Sequence, residues 1–125
     1  IFNGGRTGAR LDAARARARQ AAVQRAEAER QVEEDVRRAL IGYSSAAGCV
    51  VLAEQNLHLA EQELEVATDR FANGVSTNVE VDNAQNSLAA SRQGHVAVLA
   101  DQAQTWHELA RATGRVMELI PASGQ

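Results

Sequence analysis

The stretch Asn73-Gly74-Val75-Ser76-Thr77 decides the fold, because it interrupts a long run of helix-forming sequence. Glycine adopts the left-handed backbone conformation that ends many helices at little cost, so Gly74 predicts a helix end. Thr77 followed by Glu80 matches a capping box, which predicts a helix start. The predicted bounds are therefore a helix over 6–72, a turn over 73–77 and a helix over 78–112.

Small apolar residues recur at alternating steps of three and four along the first helix, which is the heptad pattern of packed helices. Arg25 occupies one position of this stripe, and an extra four-residue step from Val32 to Val36 locally relaxes the supercoil. The apolar members are Leu11, Ala14, Ala18, Ala21, Ala28, Val32, Val36, Ala39, Tyr43, Ala46, Val50, Ala53, Leu57, Ala60, Leu64, Ala67 and Phe71.

A second helix that folds back antiparallel about Gly74 places large residues opposite small ones. The predicted facing pairs are Ala67 with Val81, Leu64 with Ala84, Ala60 with Leu88, Leu57 with Ser91, Ala53 with His95, and Val50 with Val98. Such alternation permits close interhelical packing. The fold class is therefore all-α, a long antiparallel coiled-coil hairpin with unequal helices, whose longer helix needs a partner from outside this chain.

Composition argues against an enzyme. Aromatic residues make up 3% of the 125, there is one proline, and the net charge is −3. The mixture is typical of long helices packed through small residues. No catalytic triad, phosphate-binding loop or carboxylate pair appears, so we expect no catalytic residue and no cofactor. No apolar run approaches the roughly 20 residues of a membrane-spanning helix, so this segment itself is expected to be soluble.

The histidines and the cysteine do not form a metal site. His58, His95 and His107 lack the i, i+4 spacing of helical ligands, so no metal is expected. His95 is interpreted as a hydrogen-bonded seam residue, and Cys49 as a small buried one. The arginine-rich first thirty residues lack the aromatic residues and motifs of nucleic-acid binding, so no nucleic acid is expected as a partner. A solvated helix face near a membrane headgroup is the favoured interpretation of this segment.

Three motifs resemble a known family. Residues 70–88, RFANGVSTNVEVDNAQNSL, are similar to the hairpin tip of TolC-type outer-membrane efflux channels. The opening IFNGGR, residues 1–6, resembles that family's passage from a membrane strand into a long helix. Residues 109–114, LARATG, resemble the close of its second helix. The three occur in the family's order and at its separations.

The resemblance implies that residues 1–114 are the second helical-hairpin repeat of such a channel and that 115–125 are a C-terminal tail. Family members are homotrimers in the outer membrane and periplasm of Gram-negative bacteria. Each protomer gives four strands to a barrel and two helical repeats to a periplasmic α-barrel, and the strands and first repeat lie outside this chain. The tunnel serves drug or metal efflux, multidrug resistance or type I secretion, with a periplasmic adaptor protein and an inner-membrane pump.

The same resemblance assigns functional residues. The tip that contacts the adaptor comprises Arg70, Phe71, Asn73, Gly74, Val75 and Ser76. The resemblance also assigns an acidic entrance or constriction to Glu80 and Asp82. Many family members have an acidic residue at the position of Asn83, where this sequence has an amide. The alternatives are an ordinary turn, a stripe role for Phe71 and a capping role for Glu80.

A second function class remains open. A stand-alone structural hairpin, such as an adaptor arm or scaffold, has the same pattern and no transport role. Adaptor arms, however, have helices of similar length flanked by lipoyl-like segments, and neither feature is present here. Under either interpretation, the unpaired first half of the long helix predicts that the isolated chain self-associates.

Overall fold

A computed structural model describes the backbone of residues 4–119 and the side chains of residues 4–114. Helix α1 spans Gly4–Ala72, 69 residues, and helix α2 spans Asn78–Leu119, 42 residues. Residues 4–119 contain no strand. The expected all-α class with two unequal helices is thus confirmed and fits a helical hairpin, and α1 is about 100 Å long at 1.5 Å per residue. Pro121 and the first three residues of the IFNGGR motif lie outside the described residues.

The contacts between the helices run in opposite sequence directions. Beside the turn, Arg70 lies 3.5 Å from Glu80. Further away, Glu54 lies 3.9 Å from His95. Further still, the rings of Tyr43 and Trp106 pack with centroids 5.6 Å apart. As the α1 number falls the α2 number rises, which is the geometry of a chain folded back on itself.

One seam of small and medium apolar residues forms the core. Both members of every predicted facing pair are buried or half-buried. Among residues 4–114, no large side chain is completely buried. Two helices therefore enclose a narrow core and leave their other faces open. The buried apolar residues are Val50, Ala60, Ala67, Ala84, Leu88 and Ala112.

The predicted end of α2 differs clearly from the structure, and the predicted start of α1 differs by two residues, within the usual spread of helix-end assignments. Helix α1 begins at Gly4, two residues before the expected start, and α2 continues through Ala112 and Gly114 to Leu119. Gly74 is the only described glycine with a positive φ, at 71°, so Gly114 keeps a helical backbone. A glycine inside a helix costs about 1 kcal/mol relative to alanine, which is tolerated when it does not adopt the left-handed conformation.

The first part of α1 makes no buried contact, because every residue from 4 to 31 is exposed. Further along, α1 contains an 18-residue window of mean hydropathy 1.2, of which 6% is buried. By length and composition alone it is apolar enough to cross a membrane, which corrects the sequence-based expectation. Exposed off-seam residues such as Ile41 and Leu52 contribute to this hydropathy. One such helix is weak evidence of a membrane span, and its low burial distinguishes it from the mostly buried core helices of soluble proteins that pass the same test.

Candidate functional site: the interhelical turn

Helix α1 ends in a Schellman motif. The Gly74 N–H donates to the Phe71 carbonyl at 3.0 Å, and the Val75 N–H donates to the Arg70 carbonyl at 2.9 Å. These two bonds satisfy carbonyl groups that a helix end otherwise leaves unpaired, and they require the positive φ that Gly74 has. The Asn73 side chain adds a bond to the Asp69 carbonyl at 2.8 Å. The tip residues therefore form a tight, hydrogen-bonded turn.

The start of α2 differs from the predicted capping box. The Glu80 carboxylate accepts a hydrogen bond from the Ser76 hydroxyl and lies 3.5 Å from Arg70 Nη1. The Thr77 side chain makes no hydrogen bond to a described residue, and the Glu80 N–H donates to the Thr77 carbonyl at 3.1 Å. The Arg70 guanidinium group attracts the Glu80 carboxylate across the turn. A capping box is a local pattern and does not include this contact. A negative charge in the first turn still favours α2 through the helix dipole.

Three apolar side chains around the turn face solvent. Phe71 is 47% exposed, Val75 68% and Val79 64%. Phe71 and Val75 belong to the tip predicted from sequence. Val79 was not predicted as a tip residue, because it lies off the seam. The feature that could have identified it is a large β-branched residue at an exposed position in the first turn of a helix. A turn with exposed apolar residues is suited to contact another protein.

The two acidic residues of the predicted entrance point in different directions. Glu80 and Asp82 are two residues apart on α2, which separates them by roughly 200° around the helix axis. Glu80 lies on the side that faces Arg70, whereas Asp82 is exposed and makes no ion pair with a described residue. Within one chain, therefore, the structure does not bring the two carboxylates together.

An open groove runs from the turn along one side of the hairpin. Beside the turn it is lined on α1 by Leu59, Val66 and Arg70, and on α2 by Glu80 and Asn83. The α1 wall combines apolar residues with the polar Gln62 and Glu63, and the α2 wall is mostly polar or small. Because the groove is wide open to solvent, it has the shape of an interhelical surface and not of an enclosed ligand pocket.

The remaining singled-out residues do not add a chemical site. His95 is half-buried in the seam, but its Nε2 makes no hydrogen bond, and Glu54 Oε1 at 3.9 Å is too far to accept one. Cys49 is exposed, so the expectation that it is buried is wrong: it flanks the seam instead of occupying it. Residues 4–114 contain no group of three or more His, Cys, Asp or Glu side chains placed to hold a metal ion. Tyr43 and Trp106 pack together through their rings.

Comparison with known proteins gives one result that identifies a family. The sequence profile described as outer membrane efflux protein matches residues 1–115. No curated protein and no solved structure matches the chain. The matched region covers both helices and the turn, except the last few residues of α2. The chain belongs to the outer membrane efflux protein family.

Proposed function

We propose that residues 1–114 are the second helical-hairpin repeat of a trimeric outer-membrane channel and that the hairpin is an antiparallel coiled coil in its periplasmic α-barrel. The observation that carries the proposal is the turn. It is short, closed by two backbone hydrogen bonds, and surrounded by the exposed side chains of Phe71, Val75 and Val79. Such a tip fits between the helices of a periplasmic adaptor protein, which connects the channel to an inner-membrane pump.

The wall role is supported by apolar residues that the hairpin does not bury. Leu52, Leu59 and Val66 are each more than half exposed and recur every seven residues along one side of α1. Val96 and Leu99 are exposed on α2. A helix with apolar residues on two sides packs against two neighbours, as a helix in a closed ring does. The chain would thus form part of the wall of a passive channel for drugs, metal ions or secreted proteins.

The acidic entrance is proposed to depend mainly on Asp82. Glu80 is compensated by Arg70, whereas Asp82 pairs with no described residue. Three copies of Asp82 around a trimer axis would place like charges near one another and attract cations to the mouth. A single acid is proposed in place of an entrance with both carboxylates, because Glu80 and Asp82 are two residues apart and face nearly opposite sides of α2.

Site-specific photocrosslinking in the full-length channel tests the tip. A photoreactive amino acid at Val75 is expected to crosslink to the adaptor, identified by mass spectrometry. The matched control places it at Val96, which is 66% exposed against 68% for Val75 but lies far from the turn. Adaptor adducts of equal yield from both positions, or from neither, would contradict tip docking.

A transport assay gives an independent test. Proline cannot adopt the φ of 71° that Gly74 has, so Gly74→Pro is expected to deform the tip and abolish efflux of a fluorescent substrate. Surface levels and trimer formation are measured alongside, so that a folding defect is recognised. Full efflux by a correctly assembled Gly74→Pro channel would overturn the tip claim and favour a hairpin with a purely structural role.

A further inference from the structure

The arginines of α1 fall into two groups that differ in their partners. Every arginine from 25 to 38 makes a salt bridge three or four residues away along the helix: Arg25 with Glu29, Arg30 with Glu27 and Glu34, Arg37 with Glu33, and Arg38 with Asp35. Upstream, the five arginines of residues 4–24 make no ion pair with any described residue, and neither does Asp12, the only acid there. We call residues 4–24 the arginine segment. It carries an uncompensated positive charge on a fully exposed helix.

The positions of these arginines follow the seam of the segment. Leu11, Ala14, Ala18 and Ala21 continue the apolar stripe along one face. At about 100° per residue, Arg10 and Arg17 lie along one edge of that face and Arg15 lies along the other. Arg6 and Arg19 lie further from the strip, beyond these edges. Cations therefore border a narrow strip of small apolar residues on both sides, in the arrangement of the charged positions that flank a coiled-coil seam.

We propose that the arginine segment is the docking face for an acidic helix, whose small apolar seam packs on residues 11–21 and whose aspartate or glutamate side chains flank that seam and pair with the arginines. Alanine in the seam lets two helices approach closely, and flanking charges of opposite sign select the partner. The proposal does not depend on the proposed function, because it rests only on the charge pattern and the exposure of this segment.

Other occupants fit less well. A second copy of the same segment would place arginine opposite arginine, and like charges at flanking positions are destabilising. A membrane surface is a poorer match, because helices that lie in the headgroup region bury large residues such as Leu, Phe or Trp. Here the strip contains one leucine and three alanines, which give little apolar area to a lipid surface.

The test uses the whole chain and a labelled synthetic helix of about 21 residues, three heptads with an alanine and leucine seam and glutamate at the flanking positions. A second peptide with lysine in place of glutamate serves as its control. Fluorescence anisotropy measures binding at low and high salt. We expect the glutamate peptide to bind, added salt to weaken binding, and the lysine peptide not to bind. Hydrogen exchange is expected to slow in residues 4–24.

Matched variants locate the interaction. Arg10→Gln, Arg15→Gln and Arg17→Gln together are expected to weaken binding about tenfold, since each exposed pair contributes modestly. Arg30→Gln, Arg37→Gln and Arg38→Gln together remove the same charge from paired arginines and should leave binding unchanged. A third variant with glutamate at 10, 15 and 17 should bind the lysine peptide instead. Circular dichroism verifies that all three remain helical.

Several outcomes would overturn the proposal. One is the absence of glutamate-peptide binding at millimolar concentration, and another is equal binding of both peptides. Binding to phosphatidylglycerol vesicles without binding to the peptide would assign the segment to a membrane surface. Salt-sensitive dimers of the chain alone that dissociate in the Arg10, Arg15 and Arg17 variant would show that another copy of this chain is the partner.

Discussion

The two halves of α1 have similar helical sequences but differ in what stabilises them. Residues 4–31 are exposed throughout, whereas the seam positions from Val32 to Ala67 are buried or half-buried against α2. Isolated helices are marginal in water, and most helical stability in proteins comes from packing an apolar face. The same heptad pattern therefore packs against α2 in the second half of α1, whereas in residues 4–31 it has no packing partner within the described part of the chain.

The largest expected effect comes from placing a charge in the seam. Ala60 is 3% exposed and faces Leu88, so Ala60→Glu forces an unpaired carboxylate between the helices. We expect the free energy of unfolding to fall by about 3 kcal/mol or more. Ala18→Glu is the matched control, because Ala18 is an alanine of the same stripe in the exposed half and its change should be within about 0.5 kcal/mol.

Urea unfolding, followed by far-ultraviolet circular dichroism and Trp106 fluorescence, measures both variants. Equal losses at Ala60 and Ala18 would mean that the two halves of α1 are packed alike in solution. That result would require the isolated chain to self-associate through the half that is exposed in the monomer.

Alanine substitutions at two glycines of the hairpin are expected to change its stability in opposite directions. Gly74→Ala puts a side chain at a φ of 71°, which should destabilise the hairpin by about 1 kcal/mol. Gly48 lies inside α1, and a Cβ added there has no heavy atom within 4 Å. Gly48→Ala should therefore stabilise the chain by about 1 kcal/mol through helix propensity. Thermal unfolding of the two variants distinguishes them, and changes of the same sign would contradict the assigned backbone conformations.

The seam was predictable from the sequence because its signal is periodic. Ala60, Ala67, Ala84 and Leu88 were all assigned to facing stripes, and all are buried. The turn was predictable from the position of Gly74, because a helix end in the left-handed conformation requires little more than one glycine. Periodicity and turn chemistry are local properties, so a single sequence contains them in full.

Other features were not predictable because they depend on contacts across the turn or on a choice between glycines. The sequence predicted a helix end at Gly74 and another at the LARATG motif that Gly114 closes, but of these two glycines only Gly74 has a positive φ. Glu80 matched a capping box, but the Arg70 side chain and the Ser76 hydroxyl attract its carboxylate instead. The exposure of Val79 likewise follows from where the turn leaves the first residues of α2.

A smaller effect is expected from the aromatic pair. The rings of Tyr43 and Trp106 pack at an interplanar angle of 56°, and Trp106 is 54% exposed. Trp106→Ala should lower the free energy of unfolding by about 1 kcal/mol, since half of the indole is already in water. Trp106→Phe keeps a ring in place and should lose less. Chemical denaturation measures both, and a Phe variant as unstable as the Ala variant would rule out a contribution from ring packing.

The smallest effect concerns the boundary between paired and unpaired arginines. The hydrogen bond and charge of Arg30 hold the pKa of the Glu27 carboxyl below its ordinary value, and Glu27 in turn raises the pKa of Arg30. Because the folded-state pKa of Glu27 is the lower one, the stabilisation is present above the unfolded pKa and is lost as pH falls through the folded value. Lowering the pH should therefore reduce the stability of the helix around Glu27. It should leave the arginine segment almost unaffected, because Asp12 is the one acidic residue there.

Carbon-13 NMR of the glutamate carboxyls tests this directly. In Arg30→Gln the pKa of Glu27 should rise toward the ordinary value, whereas Arg38→Gln, which removes a cation paired with Asp35, should leave it unchanged. If the pKa of Glu27 does not respond to Arg30→Gln, the ion pair is not populated in solution. The paired and unpaired arginines would then be equally available to a partner, and the docking face would have to extend beyond residue 24 into the next turns of α1.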